Sequence, residues 1–97
     1  MRIFTEKPLK DYAERHPEAK SALQDWVKKV KESSWHSLPD IRQTFNSVDY
    51  VGNQHYVFNI KGNDYRLVVV IRFRPQFVYV RFIGTHSEYD RIDCSTI

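Results

Sequence analysis

A chain of 97 residues is long enough for one domain with a modest core, residues 1–97, and too short for two domains flanking a deep cofactor cleft. Fifteen Lys and Arg against twelve Asp and Glu leave a formal charge of +3, spread along the chain rather than gathered in a tail, which favours a polyanionic partner only mildly. The single cysteine, Cys94, excludes an internal disulfide and a cysteine-based zinc site; with no segment near the roughly 18 apolar residues of a membrane span and no signal-peptide core, a cytoplasmic protein without membrane, metal or cofactor is expected.

Residues 2–4 can supply an edge strand. Thr5 or Glu6 can open a helix at Lys7-Pro8, with Leu9, Tyr12 and Ala13 on one stripe until His16-Pro17 interrupts it. Beyond Pro17, Ala19, Ala22, Leu23, Trp26, Val27 and Val30 recur at helical spacing, and Lys28, Lys29 and Lys31 fall on the opposite, solvated side. Ser37, followed three residues later by Asp40, predicts a capped third helix over Leu38 to Phe45. From Val48 the period changes to two and β-branched and aromatic residues dominate: Tyr50-Val51, His55 to Ile60, Tyr65 to Phe73, and Phe77 to Ile83, punctuated by Gly52-Asn53, Gly62-Asn63 and Arg74-Pro75. The fold class expected is α+β, with N-terminal helices packed on an antiparallel meander.

The register of the meander follows from its turns, because a slip of one residue moves every side chain to the other face. Ile60 is expected opposite Tyr65, Asn59 opposite Arg66, Phe73 opposite Gln76 and Val68 opposite Arg81. Tyr56, Phe58, Ile60, Tyr65, Leu67, Val69, Ile71, Phe73, Val78, Val80 and Phe82 then face the helices. The open face receives His55, Val57, Asn59, Arg66, Val68, Val70, Arg72, Phe77, Tyr79, Arg81 and Ile83.

Arg66, Arg72 and Arg81 interleaved with Phe77 and Tyr79 offer guanidinium forks for phosphates and ring faces for unstacked bases, so Arg72, Tyr79 and Arg81 are candidate RNA-binding residues. A solvated face whose arginine stems pack on valines explains the same pattern. The segment Gly84 to Asp90 adds acid–base groups at the end of that face. RNA needs no metal to be cut: its own 2′-hydroxyl attacks the adjacent phosphate when one group removes that proton, another protonates the leaving 5′-oxygen and cations steady the phosphorane. His86 or Asp90 can serve as base, Tyr89 or His86 as acid, and Arg66 with Arg81 as a charge clamp. One helical turn after Thr85 would bring His86 and Tyr89 to one side, with Asp90 one residue further.

Two phrases carry a resemblance. The first is F-N-x-x-x-N-x-Y-R, at Phe58, Asn59, Asn63, Tyr65 and Arg66; the second is G-T-H-x-E-Y-D, at Gly84, Thr85, His86, Glu88, Tyr89 and Asp90. With the Lys7–Leu9 start of the first helix, they make nearly the whole chain resemble the HigB toxins of bacterial toxin–antitoxin systems, the branch related to RelE. The resemblance implies a RelE-like fold, a ribosome-dependent mRNA interferase acting as a metal-independent endoribonuclease, and inhibition by a cognate helix-turn-helix antitoxin in a toxin–antitoxin hetero-oligomer. It places Arg66, His86, Tyr89 and Asp90 in the active site and, by a weaker match, Arg81. The lysine-rich centre common among RelE relatives is absent: Lys61 falls in a turn and no second lysine lies on the open face.

The rival reading is a non-catalytic RNA- or ribosome-binding module using the same arginines and aromatics. DNA binding lacks a basic recognition helix, and Lys28, Lys29 and Lys31 suit solvent or a charge contact to ribosomal RNA.

Overall fold

Three helices begin where proline sits in the first turn, a position at which its missing N–H costs nothing. The computed structural model describes all 97 residues. They run β1 (Arg2–Phe4), α1 (Lys7–Arg15), α2 (Pro17–Lys31), α3 (Leu38–Thr44), β2 (Val48–Gly52), β3 (His55–Ile60), β4 (Tyr65–Arg72), β5 (Phe77–Thr85) and α4 (His86–Tyr89). The sheet order is β1-β5-β4-β3-β2, antiparallel throughout except for the parallel β1–β5 pair. This is the expected α+β architecture, with residues 2–4 as the edge strand. No helix is long and apolar enough to cross a membrane.

The helical stripes are the buried ones. Leu9, Tyr12 and Ala13 of α1 and Ala19, Leu23, Trp26 and Val30 of α2 join Tyr56, Phe58, Ile60, Tyr65, Leu67, Val69, Ile71, Val78 and Val80 of the sheet in one core. Its densest part is aromatic: the Trp26 and Phe58 rings meet edge-to-face at 5.5 Å, and Phe45 meets Phe58 at 5.2 Å. Fully burying rings of this size contributes about 1.5–3 kcal/mol each. Lys29 pairs with Asp25 at 3.1 Å and Lys31 with Glu6 at 3.0 Å, so two of the three clustered lysines are engaged on the helical surface.

Ile60 faces Tyr65 and Asn59 faces Arg66 as expected, although the connecting turn spans residues 61–64, with Lys61 and Gly62 both at positive φ. Three expectations are corrected. The β2–β3 turn is Asn53–Gln54 rather than Gly52-Asn53, because Asn53 and Gln54 both take the left-handed conformation that closes a tight hairpin. Ser37 caps α3 without a side-chain bond, and Asp40 accepts instead from the His36 N–H at 2.9 Å. Most consequentially, β5 carries a bulge at Arg81: Val69 pairs with Val80, but Val68 pairs with Phe82 rather than Arg81. The extra residue turns Phe82 to the open face and Ile83 to the core, and it sets Gly84 opposite Arg66.

The open face is also not open along its whole length. Val57 and Val68 point away from the helices yet are 3 % and 0 % exposed. Residues 91–97 fold back over them: the Ile97 main-chain oxygen meets His55 Nε2 at 2.8 Å and accepts from Arg81 Nε at 3.1 Å, while Asn53 donates to Ser95 O. Since His55 lies on β3 and Arg81 on β5, that oxygen sits over β4 between them. His55, one of the residues assigned to this face, is thereby a buried strut with both ring nitrogens against main-chain oxygens.

Candidate active site

The returning segment divides the arginine row. Arg66 and Arg72 project from the same side of β4, but six residues separate them, about 20 Å along the strand. Arg72 lies in a shallow 420 Å³ concavity with Arg74, Phe77, Tyr79 and Arg81. There the parallel edge strand adds Phe4, whose ring stacks on Tyr79 at 5.1 Å, with Arg2 over the Phe4 ring at 6.0 Å. Arg81, tied to Ile97, belongs to this end. Arg81 Nε is engaged by the Ile97 main-chain oxygen, whereas Arg66 stands on the strand beside the acid–base residues.

Those residues are positioned by a four-residue helix that could not hold itself together without its cap. Thr85 accepts from the Glu88 N–H at 3.2 Å, and Glu88 accepts in return from the Thr85 N–H at 2.8 Å. The preceding Gly84 is required by space: a Cβ there would stand 2.6 Å from Phe82 Cζ and 3.0 Å from Glu88 Oε1. Gly84, Thr85 and Glu88 of the G-T-H-x-E-Y-D phrase thus build the platform that displays His86 and Asp90.

His86 and Asp90, one turn apart and both about half exposed, pair through Nδ1 and Oδ2 at 3.1 Å. An ionised carboxylate only accepts, so Nδ1 is the donor and a neutral imidazole then carries its lone pair on Nε2, facing outward. Tyr89 is turned elsewhere. Its hydroxyl donates to Cys94 Sγ at 3.4 Å, and its pKa is pushed up to about 12, first by burial and then by the Cys94 bond, with the nearby Arg66 guanidinium opposing.

Arg66 pairs across the ladder with Gly84, two residues before His86. Its Nη1 donates to Asn63 O at 3.1 Å and Tyr65 O at 3.3 Å, it makes no ion pair, and Nε and Nη2 have no partner. The same turn reaches α4, since the His86 N–H donates to Asp64 O at 3.3 Å. Asn59 donates to Asn63 Oδ1 at 3.3 Å, and the Tyr65 hydroxyl donates to Glu18 on α2, which holds that carboxyl below its ordinary range. Asn59, Asn63 and Tyr65 of the F-N-x-x-x-N-x-Y-R phrase therefore serve to hold Arg66 in place. An anchored, uncompensated cation beside an oriented imidazole suits acid–base chemistry on a phosphodiester.

Asp49, Phe82 and Cys94 escaped the sequence reading. Asp49 lies on the same face through its pairing with Val57 and pushes the Tyr89 pKa upward, Phe82 arrives through the bulge, and Cys94 holds the Tyr89 hydroxyl. Only the adjacent apolar pair Phe82-Ile83 signalled one of them, since strict alternation cannot place both residues on the core.

Thr85→Ala is expected to cost about 1 kcal/mol, lowering Tm by about 4–8 °C in thermal unfolding. Glu88 adds a pH test. Its hydrogen bond from the Thr85 N–H holds its pKa below the usual glutamate value, so the folded state binds fewer protons than the unfolded. The contribution is complete above the ordinary value of 4.5 and is lost as pH falls through the lowered one. The stability gap between wild type and Glu88→Gln should accordingly narrow on acidification.

Residues 19–92 match the family model HigB_toxin, described as the RelE-like toxic component of a toxin–antitoxin system. The chain is 36% identical over 93 residues to the mRNA interferase toxin HigB of Escherichia coli (strain K12), covering 93% of this chain and 88% of that protein. The mRNA interferase HigB of Shigella flexneri matches to the same extent. The mRNA interferase HigB of Escherichia coli O6:H1 is 28% identical over 94 residues, covering 95% of this chain and 91% of its own length. The chain belongs to the HigB toxin family, the RelE-like toxic components of toxin–antitoxin systems.

Proposed function

We propose that this chain is a metal-independent endoribonuclease, an mRNA interferase that cuts messenger RNA on the ribosome in the cytoplasm, and that a cognate helix-turn-helix antitoxin restrains it in a hetero-oligomer. The relatives' activity supports the reaction class. The observation that carries it to named residues is the His86–Asp90 pair, with Nε2 open, set beside an unpaired Arg66.

In this mechanism His86 Nε2 takes the proton from the 2′-hydroxyl, whose oxygen attacks the adjacent phosphorus. Asp90 orients the imidazole and stabilises the imidazolium that forms, and Arg66 binds the phosphorane oxygens through Nε and Nη2. The P–O bond to the 5′-oxygen breaks, and Tyr89, once freed from Cys94, donates its proton there. A phenol is a weak acid, but an alkoxide leaving group is more basic still, so the transfer runs downhill. The imidazolium proton then restores the tyrosinate. Arg72 and Tyr79 at the far end, with Arg81, hold RNA outside the reacting nucleotides.

The products are a 2′,3′-cyclic phosphate and a 5′-hydroxyl. On a ribosome-bound message carrying one 2′-deoxynucleotide at the cut position, cleavage there should be abolished, as read by primer extension and end-group labelling. A 5′-phosphate product, or cutting of the deoxy-substituted message, would exclude attack by the 2′-oxygen.

A further inference from the structure

Beside the catalytic end of the sheet lies a second, polar concavity that the proposed chemistry does not use. Its volume is 310 Å³, near the lower bound of about 300 Å³ for small-ligand sites. It is formed where α3 gives way to β2, with Arg42, Gln43, Asn46, Lys29 and the Phe45 ring around it and no acidic side chain in its wall. Lys29 is committed in part to Asp25. Arg42, Gln43 and Asn46, by contrast, are exposed and make no side-chain hydrogen bond or ion pair within the protein.

The pocket is coupled to Arg66 by the lattice of the sheet. Ser47 and Asn59 form part of its wall, and Asn59 Nδ2 donates to Ser47 Oγ at 2.7 Å as well as to Asn63 Oδ1, the turn whose main chain holds Arg66. Asn59 pairs with Arg66, and Arg66 with Gly84, so Ser47, Asn59, Arg66 and Gly84 form one row across the sheet. Two strand spacings, about 10 Å, separate the pocket wall at Ser47 from Arg66. An RNA strand laid along this row from Arg66 would cross Asn59 and reach the cavity.

We infer that the pocket takes the base of a nucleotide flanking the scissile phosphate and sets the sequence preference of cleavage. The inference rests on the ribonuclease reading above. Gln43 and Asn46 each present an amide donor and acceptor, which match the hydrogen-bonding edges of an unstacked base, while Arg42 takes the adjoining phosphate. The pocket thus separates choice of sequence from the reaction itself.

The test maps cleavage sites across translated messages for wild type, the double variant Gln43→Ala/Asn46→Ala, and Arg42→Ala, with Tm measured for each. All three alanines lie at exposed positions, so unchanged Tm is expected. The double variant should still cut, with its discrimination between favoured and disfavoured flanking nucleotides reduced roughly tenfold. Arg42→Ala should lower kcat/KM and retain the preference. A double variant with the wild-type preference overturns the inference; so does one that stops cutting altogether at unchanged Tm, which would assign the amides to the reaction. Absence of cutting by the wild type would instead bring down the ribonuclease reading on which the inference stands.

Discussion

His86→Ala is expected to lower the cleavage rate by about 10²–10⁴-fold, with little change in binding to ribosomes, because it removes the only positioned imidazole at the site. The variant should fold: His86 is half exposed, and the α4 cap is made by Thr85 and Glu88. Asp90→Asn should reproduce part of that loss, since an amide no longer selects the tautomer that leaves the Nε2 lone pair outward. Single-turnover cleavage of a programmed ribosome measures both. A His86→Ala protein within threefold of wild type would remove His86 from the chemistry and return the role of base to Asp90.

Arg66→Ala is expected to cost about 10²–10³-fold in the same assay, the scale of deleting one preorganised group that stabilises transition-state charge. Arg66→Lys should recover only part. An ammonium keeps the charge, but it cannot hold the turn carbonyls of Asn63 and Tyr65 while still presenting two further donors to phosphate. Equal activity of alanine and lysine variants would mean that charge at this position is not what the reaction uses. The comparison also separates Arg66 from Arg72, about 20 Å away, whose alanine variant should weaken association and leave single-turnover chemistry nearly intact.

The helices and the register of β3 against β4 were legible because apolar spacing and glycine-bearing turns are local signals. Leu9 to Ala13 and Ala19 to Val30 announce a buried stripe, and Gly62-Asn63 announces the turn that puts Asn59 across from Arg66. The end of β5 was not legible. A bulge leaves no compositional mark except the adjacent Phe82 and Ile83, and its effect on Gly84 depends on where the Phe82 ring comes to rest. The fold-back of residues 91–97 was hidden for a different reason: its ties run through main-chain oxygens of Ser95 and Ile97, which side-chain patterning does not report. Val57 and Val68 were the available hint, as valines on a face read as solvated.

For the site, the sequence placed His86, Tyr89 and Asp90 on one turn but could not assign their partners. Orientation came from tertiary contacts: Asp90 reaches His86 because the pair is four residues apart on a capped helix, and Tyr89 turns to Cys94 in the returning segment. Grouping Arg66, Arg72 and Arg81 treated a face as a point. Strand length sets Arg72 about 20 Å from Arg66, and the covering segment ties Arg81 to Ile97 between them.

The most direct measurement is the mapping of 5′ ends in actively translated messages from cells expressing wild type or His86→Ala. The ribonuclease reading predicts new 5′-hydroxyl ends with wild type and none with the variant, at equal protein levels. Growth arrest by the wild type without any new ends would contradict it and leave a non-catalytic ribosome-binding module in its place.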